Sequence, residues 1–291
     1  MSKKHPVVAV TGSSGAGTTT VKRAFEHIFI REGINAAVVE GDSFHRYERG
    51  EMKVKMAEEH LSHFGPEANR FDKLEELFRT YGETGCGEKR YYLHNEEEAA
   101  EHNSRLGTDK KPGEFTPWEP IPDGTDLLFY EGLHGLAKTD HEDVAAHVDL
   151  GIGVVPIVNL EWIQKIHRDN AERGYSPEAV VDTIMRRMPD YINHITPQFS
   201  RTDINFQRVS LVDTSNPFIA RDIPTPDESF VVIRFADPQK FNTDFPYLLS
   251  MINGSFMSRR NSIVVPGGKM GFAMEVIFGP IIDHMMDERG L

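Results

Sequence analysis

A glycine-rich segment directly after a short apolar run limits what this chain can fold into more than any other feature. Residues 6–10 are apolar and mostly β-branched, and residues 12–19 read GSSGAGTT. This segment fits the GxxxxGK[ST] phosphate loop between a strand and a helix, except that Thr18 stands where lysine is usual. In such a loop the backbone N–H groups and the helix dipole face phosphate oxygens.

We therefore predict that this loop binds the phosphates of a nucleotide, and that the missing positive charge comes from elsewhere in the chain. A glycine-rich turn that binds nothing is the alternative. The predicted nucleotide-binding residues are Gly12, Ser13, Ser14, Gly15, Ala16, Gly17, Thr18, Thr19 and Thr20.

Apolar runs of strand length alternate with helical patterns along the chain. Strands are predicted at residues 6–10, 36–39, 127–130, 151–158, 230–235 and 263–265, and a last helix follows. Such alternation predicts an α/β fold, with a mostly parallel central sheet, helices on both faces, and C-terminal strands that extend the sheet. We predict one domain over residues 1–291, in which the polar segment 82–124 passes over the active face.

Composition excludes several classes of function. The chain has 291 residues, with 32 Lys and Arg against 45 Asp and Glu, so its net charge is −13. This charge argues against nucleic-acid and anionic-membrane partners. Cys86 is the single cysteine, so an internal disulfide and a cysteine zinc site are excluded. With no presequence and no long apolar run, we expect a cytoplasmic protein. His60 and His63 are predicted to be solvated or structural rather than metal ligands.

Two carboxylates follow predicted strands, where ligands sit in parallel α/β folds. Asp42 precedes three cations, His45, Arg46 and Arg49, so it suits a general base beside an anionic substrate. Glu131 follows LLFY, the position of a magnesium-binding acid, and with Thr19 it could hold Mg²⁺. For either carboxylate the alternative is a helix or turn cap.

A local excess of cations lies between residues 165 and 187 of this acidic chain. The charged residues there are Lys165, Arg168, Asp169, Arg173, Arg186 and Arg187. Arg168 and Asp169 follow Lys165 by three and four residues, so they would share one helix face with it. We predict that this region, about 160–190, is a phosphate clamp that covers the nucleotide; a solvated charged face is the alternative.

Six motifs, in this order, give the chain a resemblance to a known family. They are GSSGAGTTT, EGDSFHR, LLFYEGLHG, HRDNAERGYSPEAV, FSRTDINFQR and VDTSNPFIARDIP. Together they resemble the bacterial-type phosphoribulokinases, which belong to a wider group of P-loop kinases that includes uridine kinases. The resemblance covers nearly the whole chain, and a phosphate loop with threonine in place of lysine is typical of the bacterial branch.

The resemblance implies transfer of phosphate from ATP, with Mg²⁺, to the primary hydroxyl of ribulose 5-phosphate, which gives ribulose 1,5-bisphosphate for carbon fixation. It implies that Asp42 is the base, that His45 and Arg49 bind the sugar phosphate, and that Glu131 holds Mg²⁺. Lys165 would replace the loop lysine. Arg168, Asp169 and Arg173 would form the lid and active-site wall, and Tyr92 and His94 would touch the substrate.

Relatives of the bacterial type form large homo-oligomers and respond to NADH and AMP. The resemblance therefore implies effector contacts at Arg31, Arg234 and Arg259, for which exposed arginines without a special role are the alternative. Two other functions stay open. A uridine kinase would use a similar loop, acid and lid, although its substrate carries no phosphate. A nucleotide-binding regulator without turnover would explain Thr18, although such a protein needs no base.

Overall fold

The fold is an α/β sandwich around one large sheet. The structure is a computed structural model that describes residues 4–12, 18–155, 157–219 and 222–289. The strands are β1 (Val7–Gly12), β2 (Ala36–Glu40), β3 (Glu88–Lys89), β4 (Glu119–Pro120), β5 (Leu127–Gly132), β6 (Leu150–Val155), β7 (Ile204–Ser210), β8 (Ser229–Phe235), β9 (Phe256–Arg259) and β10 (Ser262–Pro266). The α-helices are α1 (Thr18–Glu32), α2 (Arg49–Glu58), α3 (Phe71–Thr84), α4 (Glu96–Leu106), α5 (Val158–Arg173), α6 (Pro177–Asp190), α7 (Phe245–Met251) and α8 (Met270–Glu288).

Within the described residues the main sheet has eight strands in the order β2-β5-β1-β6-β7-β8-β10-β9. The pairs from β2 to β7 are parallel, and the pairs from β7 to β9 are antiparallel. The predicted mostly parallel sheet with a C-terminal extension is therefore confirmed. The strands β3 and β4 form a separate two-stranded ribbon.

Helices cover both faces of the sheet. On one face α1 and α8 pack against the strands, and the α1 residues at helical spacing are all buried. These residues are Val21, Ala24, Phe25, Ile28 and Phe29. On the other face α3 packs its apolar side, which includes Leu74 and Phe78, against a second buried cluster around Tyr130. Burial of both sheet faces explains why the inner strands read as continuous apolar runs rather than as alternating ones.

Some boundaries and elements differ from the sequence prediction. The strand predicted at 151–158 ends at Val155, and Val158 begins α5 instead. The predicted polar segment 82–124 contains the whole of α4, which the sequence did not reveal. Ala99 is the only fully buried residue of this helix, so it has almost no apolar periodicity. Its N-cap residue Asn95 accepts a hydrogen bond from the Glu98 backbone N–H, and such caps stabilise a helix without an apolar face.

Two further observations concern exposure. No helix in the described part of the chain is both long and apolar enough to cross a bilayer. Cys86 is exposed, directly after α3.

Candidate active site

The carboxyl ends of β2 and β5 come unusually close together and form the floor of the site. A Cβ atom at Gly41 would lie 2.8 Å from the Cα of Gly132 and 2.6 Å from the Tyr130 hydroxyl oxygen, so only glycine fits there. Glu131 pairs in register with Glu40 on β2 and also with β1, which leads into the glycine-rich loop. This close approach brings Asp42, which follows β2, and Glu131, near the end of β5, to one edge of the sheet.

A cavity of about 470 Å³ opens at this edge. It is walled by the ends of β1, β2 and β5 on one side and by the segment around α4 on the other. Its lining residues are Gly12, Glu40, Gly41, Asp42, Tyr91, Tyr92, His94, Glu98, His102, Glu131, Gly132 and Leu133. Several residues of the predicted site, from both halves of the wall, therefore meet in one cavity.

Asp42 lies in a short 3₁₀ turn, Gly41–Phe44, directly after β2. Its Oδ1 is 3.2 Å from His45 Nε2 and its Oδ2 is 3.8 Å from His94 Nε2, and 43% of the side chain remains exposed to the cavity. Desolvation raises the pKa of Asp42. The hydrogen bond and charge of His45, together with the charges of His94 and His63, lower the pKa by more than desolvation raises it. The net pKa lies well below the usual range of a carboxyl group, so Asp42 is ionised at neutral pH.

Arg49, Tyr92 and His94, all predicted to contact substrate, lie together beside Asp42. The Arg49 guanidinium donates to the Tyr92 hydroxyl at 3.3 Å and to the His94 carbonyl at 3.1 Å, and it sits 5.8 Å from the Tyr92 ring centre. The backbone N–H of Arg49 donates to the carbonyl of Gly113. The segment around α4 thus holds this arginine from two sides.

Sequence reasoning missed Arg90, which fixes the loop that carries Asp42. Its guanidinium donates to the carbonyl oxygens of Ser43 and His45, at 2.8 and 2.7 Å. It also lies 3.6 Å from the ring centre of Phe115, against which it stacks. Burial lowers its pKa to about 10, which leaves it charged at neutral pH. These partners are more than 20 residues away in the sequence, and no local sequence pattern indicates them.

The two histidines with no predicted metal role differ. His60 is exposed, whereas His63 stacks on His45 with ring centres 4.2 Å apart. His134, after β5, is buried and contacts the carbonyl oxygen of His63 at 2.8 Å. Burial lowers the pKa of His63 and of His134 to about 3, so both rings are neutral at neutral pH. The structural role predicted for His63 agrees with this packing.

Glu131, the predicted magnesium ligand, lines the cavity together with Glu40. Glu40, its neighbour in register, accepts a hydrogen bond from Lys22 Nζ at 2.8 Å. Mg²⁺ is usually held by one or two carboxylates together with water and substrate phosphates, and the oxygen donors here fit that pattern. The described residues contain no group of three or more histidines, cysteines or acids that could hold a metal alone.

Much of the predicted nucleotide loop lies outside the described residues. Gly12 is buried at the end of β1, and Thr20 is exposed on α1. Residues 13–17 and the side chains of Thr18 and Thr19 are not described. The predicted roles of this loop and of Thr19 in metal binding therefore stay predictions.

The predicted clamp residues form a compact group on α5. Lys165 Nζ lies 2.5 Å from Asp169 Oδ2, and Arg168 contacts Asp169 Oδ1 at 3.1 Å, which confirms their predicted common face. The side chain of Arg173 lies outside the described part. Among the described residues that line the cavity, none belongs to α5. Arg187 on α6 acts on both the α5 group and the histidines beside Asp42, because its charge lowers the pKa of Lys165 and the pKa of His63.

The three predicted effector arginines lie on different parts of the fold. Arg234 and Arg259 face Ser262 in register from its two neighbouring strands, so they share one region of the antiparallel half. Arg31 lies at the end of α1 and donates to Glu32 at 2.5 Å. The structure thus brings two of the three together, and their effector role stays a prediction.

Comparison with known proteins agrees with this arrangement. The sequence profile of the Phosphoribulokinase / Uridine kinase family matches residues 7–215. The chain is 62% identical to a chromosomal phosphoribulokinase of Cupriavidus necator, over 99% of this chain and 98% of that protein. It is 60% identical to a phosphoribulokinase of Nitrobacter vulgaris, over 99% of each chain. The structure of the phosphoribulokinase from Rhodobacter spheroides covers all of both chains, with 54% identity and a TM-score of 0.89. The chain therefore belongs to the phosphoribulokinase/uridine kinase family.

Proposed function

We propose that this chain is a phosphoribulokinase, an ATP-dependent kinase that phosphorylates the primary hydroxyl of D-ribulose 5-phosphate to give D-ribulose 1,5-bisphosphate. The observation that carries the proposal is that an ionised Asp42, Tyr92 and His94 line one cavity, with the Arg49 guanidinium bonded to both Tyr92 and His94. High identity to phosphoribulokinases over the full chain supports it. The product would supply the carbon fixation of the Calvin cycle.

The cations beside Asp42 favour an acceptor that already carries a phosphate. A guanidinium can make two charge-assisted hydrogen bonds to one phosphate. Arg49 presents such a group with neutral partners, and His45 and His94 add donors nearby. A nucleoside has no anion for this group to bind. The acceptor side of the cavity therefore favours ribulose 5-phosphate over uridine.

Asp42 would orient the primary hydroxyl of the acceptor and accept its proton. Oδ1 faces His45, so Oδ2 is the oxygen that the hydroxyl would meet. As the hydroxyl oxygen bonds to the γ-phosphorus, the bond from that phosphorus to the β–γ bridging oxygen breaks and ADP leaves. The low pKa of Asp42 makes it a weak base. A weak base suffices when the transition state is loose and the proton moves late.

The donor side would consist of the glycine-rich loop, Lys165 and the magnesium ligands. Glu131 and Thr19 are the residues that would hold Mg²⁺, which supplies charge neutralisation of the β- and γ-phosphates when bound. Lys165, with Arg168 beside it on α5, would provide the positive charge that the loop lacks at Thr18. Arg173, on the last turn of α5, would complete the lid.

One coupled assay tests the proposal. Formation of ADP is measured with ATP, Mg²⁺ and either ribulose 5-phosphate or uridine, each over a range of concentrations. We expect turnover with ribulose 5-phosphate and little above background with uridine. Turnover with uridine alone would favour a nucleoside kinase. Nucleotide binding without turnover on either acceptor would favour a regulator.

Several finer parts of the proposal rest on the resemblance alone. They are the homo-oligomeric assembly, the response to NADH and AMP, and the cytoplasmic location. Size-exclusion chromatography with light scattering and assays with each nucleotide are the measurements that test the first two.

A further inference from the structure

Asn69 is a buried polar residue beside the site that no sequence motif singled out. It follows the 3₁₀ turn Pro66–Ala68, and only 2% of its surface is exposed. It forms an isolated antiparallel bridge with His45. Two backbone hydrogen bonds flank this bridge, from Arg46 N to Ala68 O at 2.8 Å and from Arg70 N to Phe44 O at 2.7 Å. The backbone thus places Asn69 directly opposite His45.

The neighbours of the Asn69 amide determine which way it points. Nδ2 lies 2.7 Å from the carbonyl oxygen of Gly65 and 2.9 Å from that of His63, so its two hydrogens have two acceptors. The remaining atom, Oδ1, lies 2.8 Å from His45 Nδ1. An amide oxygen can only accept a hydrogen bond. His45 Nδ1 must therefore carry a hydrogen and donate it to Asn69.

This assignment decides what His45 presents to Asp42. The second ring nitrogen, Nε2, lies 3.2 Å from Asp42 Oδ1. If Nε2 were unprotonated, its lone pair would face a carboxylate oxygen at hydrogen-bond distance, which is repulsive. If it is protonated, the imidazolium donates to Asn69 on one side and to Asp42 on the other. The geometry favours the imidazolium.

The histidine rings next to His45 do not compete with it for this proton. The His63 ring stacks on it at 4.2 Å, and His134 lies behind Asn69 with Nε2 3.2 Å from the amide nitrogen. Burial lowers the pKa of both these histidines to about 3, so they are neutral at pH 7. The Tyr92 ring lies edge-on to His45 with centres 6.3 Å apart.

Arg90 and His94 lie near the imidazolium without facing its ring hydrogens. The Arg90 guanidinium donates to the His45 carbonyl oxygen, and the His94 ring lies 3.8 Å from the far oxygen of Asp42. The Asp42 carboxylate and the Asn69 carbonyl oxygen are the two acceptors that stabilise the charged ring.

We propose that Asn69 is a positioning residue that acts through His45: it keeps Nδ1 protonated, so that Nε2 donates to Asp42 and leaves Oδ2 for the acceptor hydroxyl. The proposal rests on the proposed function, in which Asp42 receives the hydroxyl proton. It predicts that loss of the Asn69 amide frees the His45 ring to turn away from Asp42, and that kcat falls for this reason.

The first test needs no substrate. The free protein is labelled with ¹⁵N-histidine, and the His45 ring signals are assigned by their loss in His45→Gln. We expect a proton on Nδ1 that exchanges slowly with water in the parent protein, because it is donated to the Asn69 amide oxygen, and we expect Asn69→Ala to make this exchange at least tenfold faster. An unprotonated Nδ1 in the parent protein would overturn the proposal. This result is independent of whether the protein phosphorylates ribulose 5-phosphate, so failure of the two proposals can be told apart.

The second test is a double-mutant cycle on kcat with Asn69→Ala, His45→Gln and the double variant. Asn69→Ala should lower kcat about tenfold, because one hydrogen bond to a charged group is lost. In the His45→Gln background the same change should cost less than twofold. Equal losses in both backgrounds would show a structural role instead and overturn the proposal.

A matched control removes a different internal asparagine. Asn205 on β7 accepts from Thr202 at 2.6 Å and donates to Phe199 at 2.9 Å, and neither partner belongs to the site. Asn205→Ala should lower the melting temperature, leave kcat within about twofold and leave the exchange of the His45 Nδ1 proton unchanged. A loss of kcat in this variant equal to that in Asn69→Ala would contradict the specific link to His45.

Discussion

Arg49 and Lys165 are the two cations on which the proposed reaction depends most, and their surroundings differ. Arg49 donates to neutral groups, the Tyr92 hydroxyl and the His94 carbonyl. Lys165 lies 2.5 Å from the Asp169 carboxylate, and only 14% of its side chain is exposed. The acceptor side of the site thus presents a cation held in place by neutral partners. On the α5 side, the charge of Lys165 is already balanced by an acid.

This difference indicates how each side would receive its phosphate. Arg49 can bind an anion without giving up an ion pair. In the proposed reaction Lys165 would have to share or leave Asp169 to reach a nucleotide phosphate. Burial lowers the pKa of Lys165, and the hydrogen bond and charge of Asp169 oppose that effect. Asp169 therefore favours the charged form of Lys165.

The buried apolar packing also differs between the acceptor side and the α5–α6 pair. The acceptor side rests on a large buried cluster that includes Phe44, Phe71 and Tyr130. The α5–α6 pair has a small cluster of its own, formed by Ile166, Val180 and Ile184. Segments with few buried apolar contacts open at lower free-energy cost. We therefore expect the acceptor side to open at a higher free-energy cost than the α5–α6 pair.

The largest effect is expected on the acceptor side, at the base. Asp42→Asn should lower kcat by roughly 100-fold or more, because the neutral amide cannot take the hydroxyl proton. The KM for ATP should change little, since the contacts of the Asp42 carboxylate are with His45 and His94. Steady-state kinetics with ribulose 5-phosphate measure both values.

Asp72→Asn is the matched control for that change. Asp72 on α3 forms an exposed ion pair with Arg70 at 2.8 Å, and its substitution should leave kcat within about twofold. A near-normal kcat in Asp42→Asn would remove Asp42 from the role of base.

The next effect is expected on the α5 side. Lys165→Met should lower kcat by about 10- to 100-fold, because a charge that stabilises the transferred phosphoryl group is lost. The KM for ATP should rise, and the KM for ribulose 5-phosphate should stay within a few-fold. Lys138→Met, which breaks an exposed ion pair with Asp143, serves as control. An effect of Lys165→Met on the melting temperature alone would refute its role as the replacement for the loop lysine.

A smaller effect concerns the stability of the acceptor side in acid. Burial lowers the pKa of His63 and His134 from 6.5 to about 3. Between these values the unfolded chain binds more protons than the folded one, so the free energy of unfolding must fall as the pH falls below 6.5. Each such histidine contributes a slope of up to about 1.4 kcal/mol per pH unit.

Urea unfolding of the parent protein and of His134→Gln between pH 7.5 and 4.5 measures this slope. We expect a shallower dependence in the variant, because one buried neutral histidine is gone. His141→Gln, at an exposed loop position, should keep the parent slope. Parallel curves for His134→Gln and the parent would show that His134 is protonated equally in the folded and unfolded chains.

Local patterns predicted much of this site because its parts sit where strands end. Spacing within a few residues predicted three of its features. They are the strand before the glycine-rich loop, the acids at the ends of β2 and β5, and the common face of Lys165 and Asp169. The mostly parallel sheet follows from alternating strands and helices, and the structure confirms it.

The supporting residues could not be predicted in this way. Arg90 holds the Asp42 loop through contacts 45 and 47 residues away, and Asn69 meets His45 across 24 residues. Helix α4 brings Glu98 and His102 to the cavity, yet it carries no apolar stripe. Hydrogen bonds between residues so far apart in the sequence depend on the tertiary fold, which the periodicity of apolar residues does not encode.

The most direct test of the account compares Arg49→Ala with the parent enzyme on ribulose 5-phosphate and on ribulose. A charge-assisted contact to the substrate phosphate is worth about 1.5–3 kcal/mol, so the variant should raise the KM for ribulose 5-phosphate roughly 10- to 200-fold. The KM for ATP should stay nearly unchanged. Ribulose should be a poor substrate for the parent and should lose little more in the variant. Equal losses on the two acceptors would contradict the account, because Arg49 would then support the loop or the base rather than the phosphate.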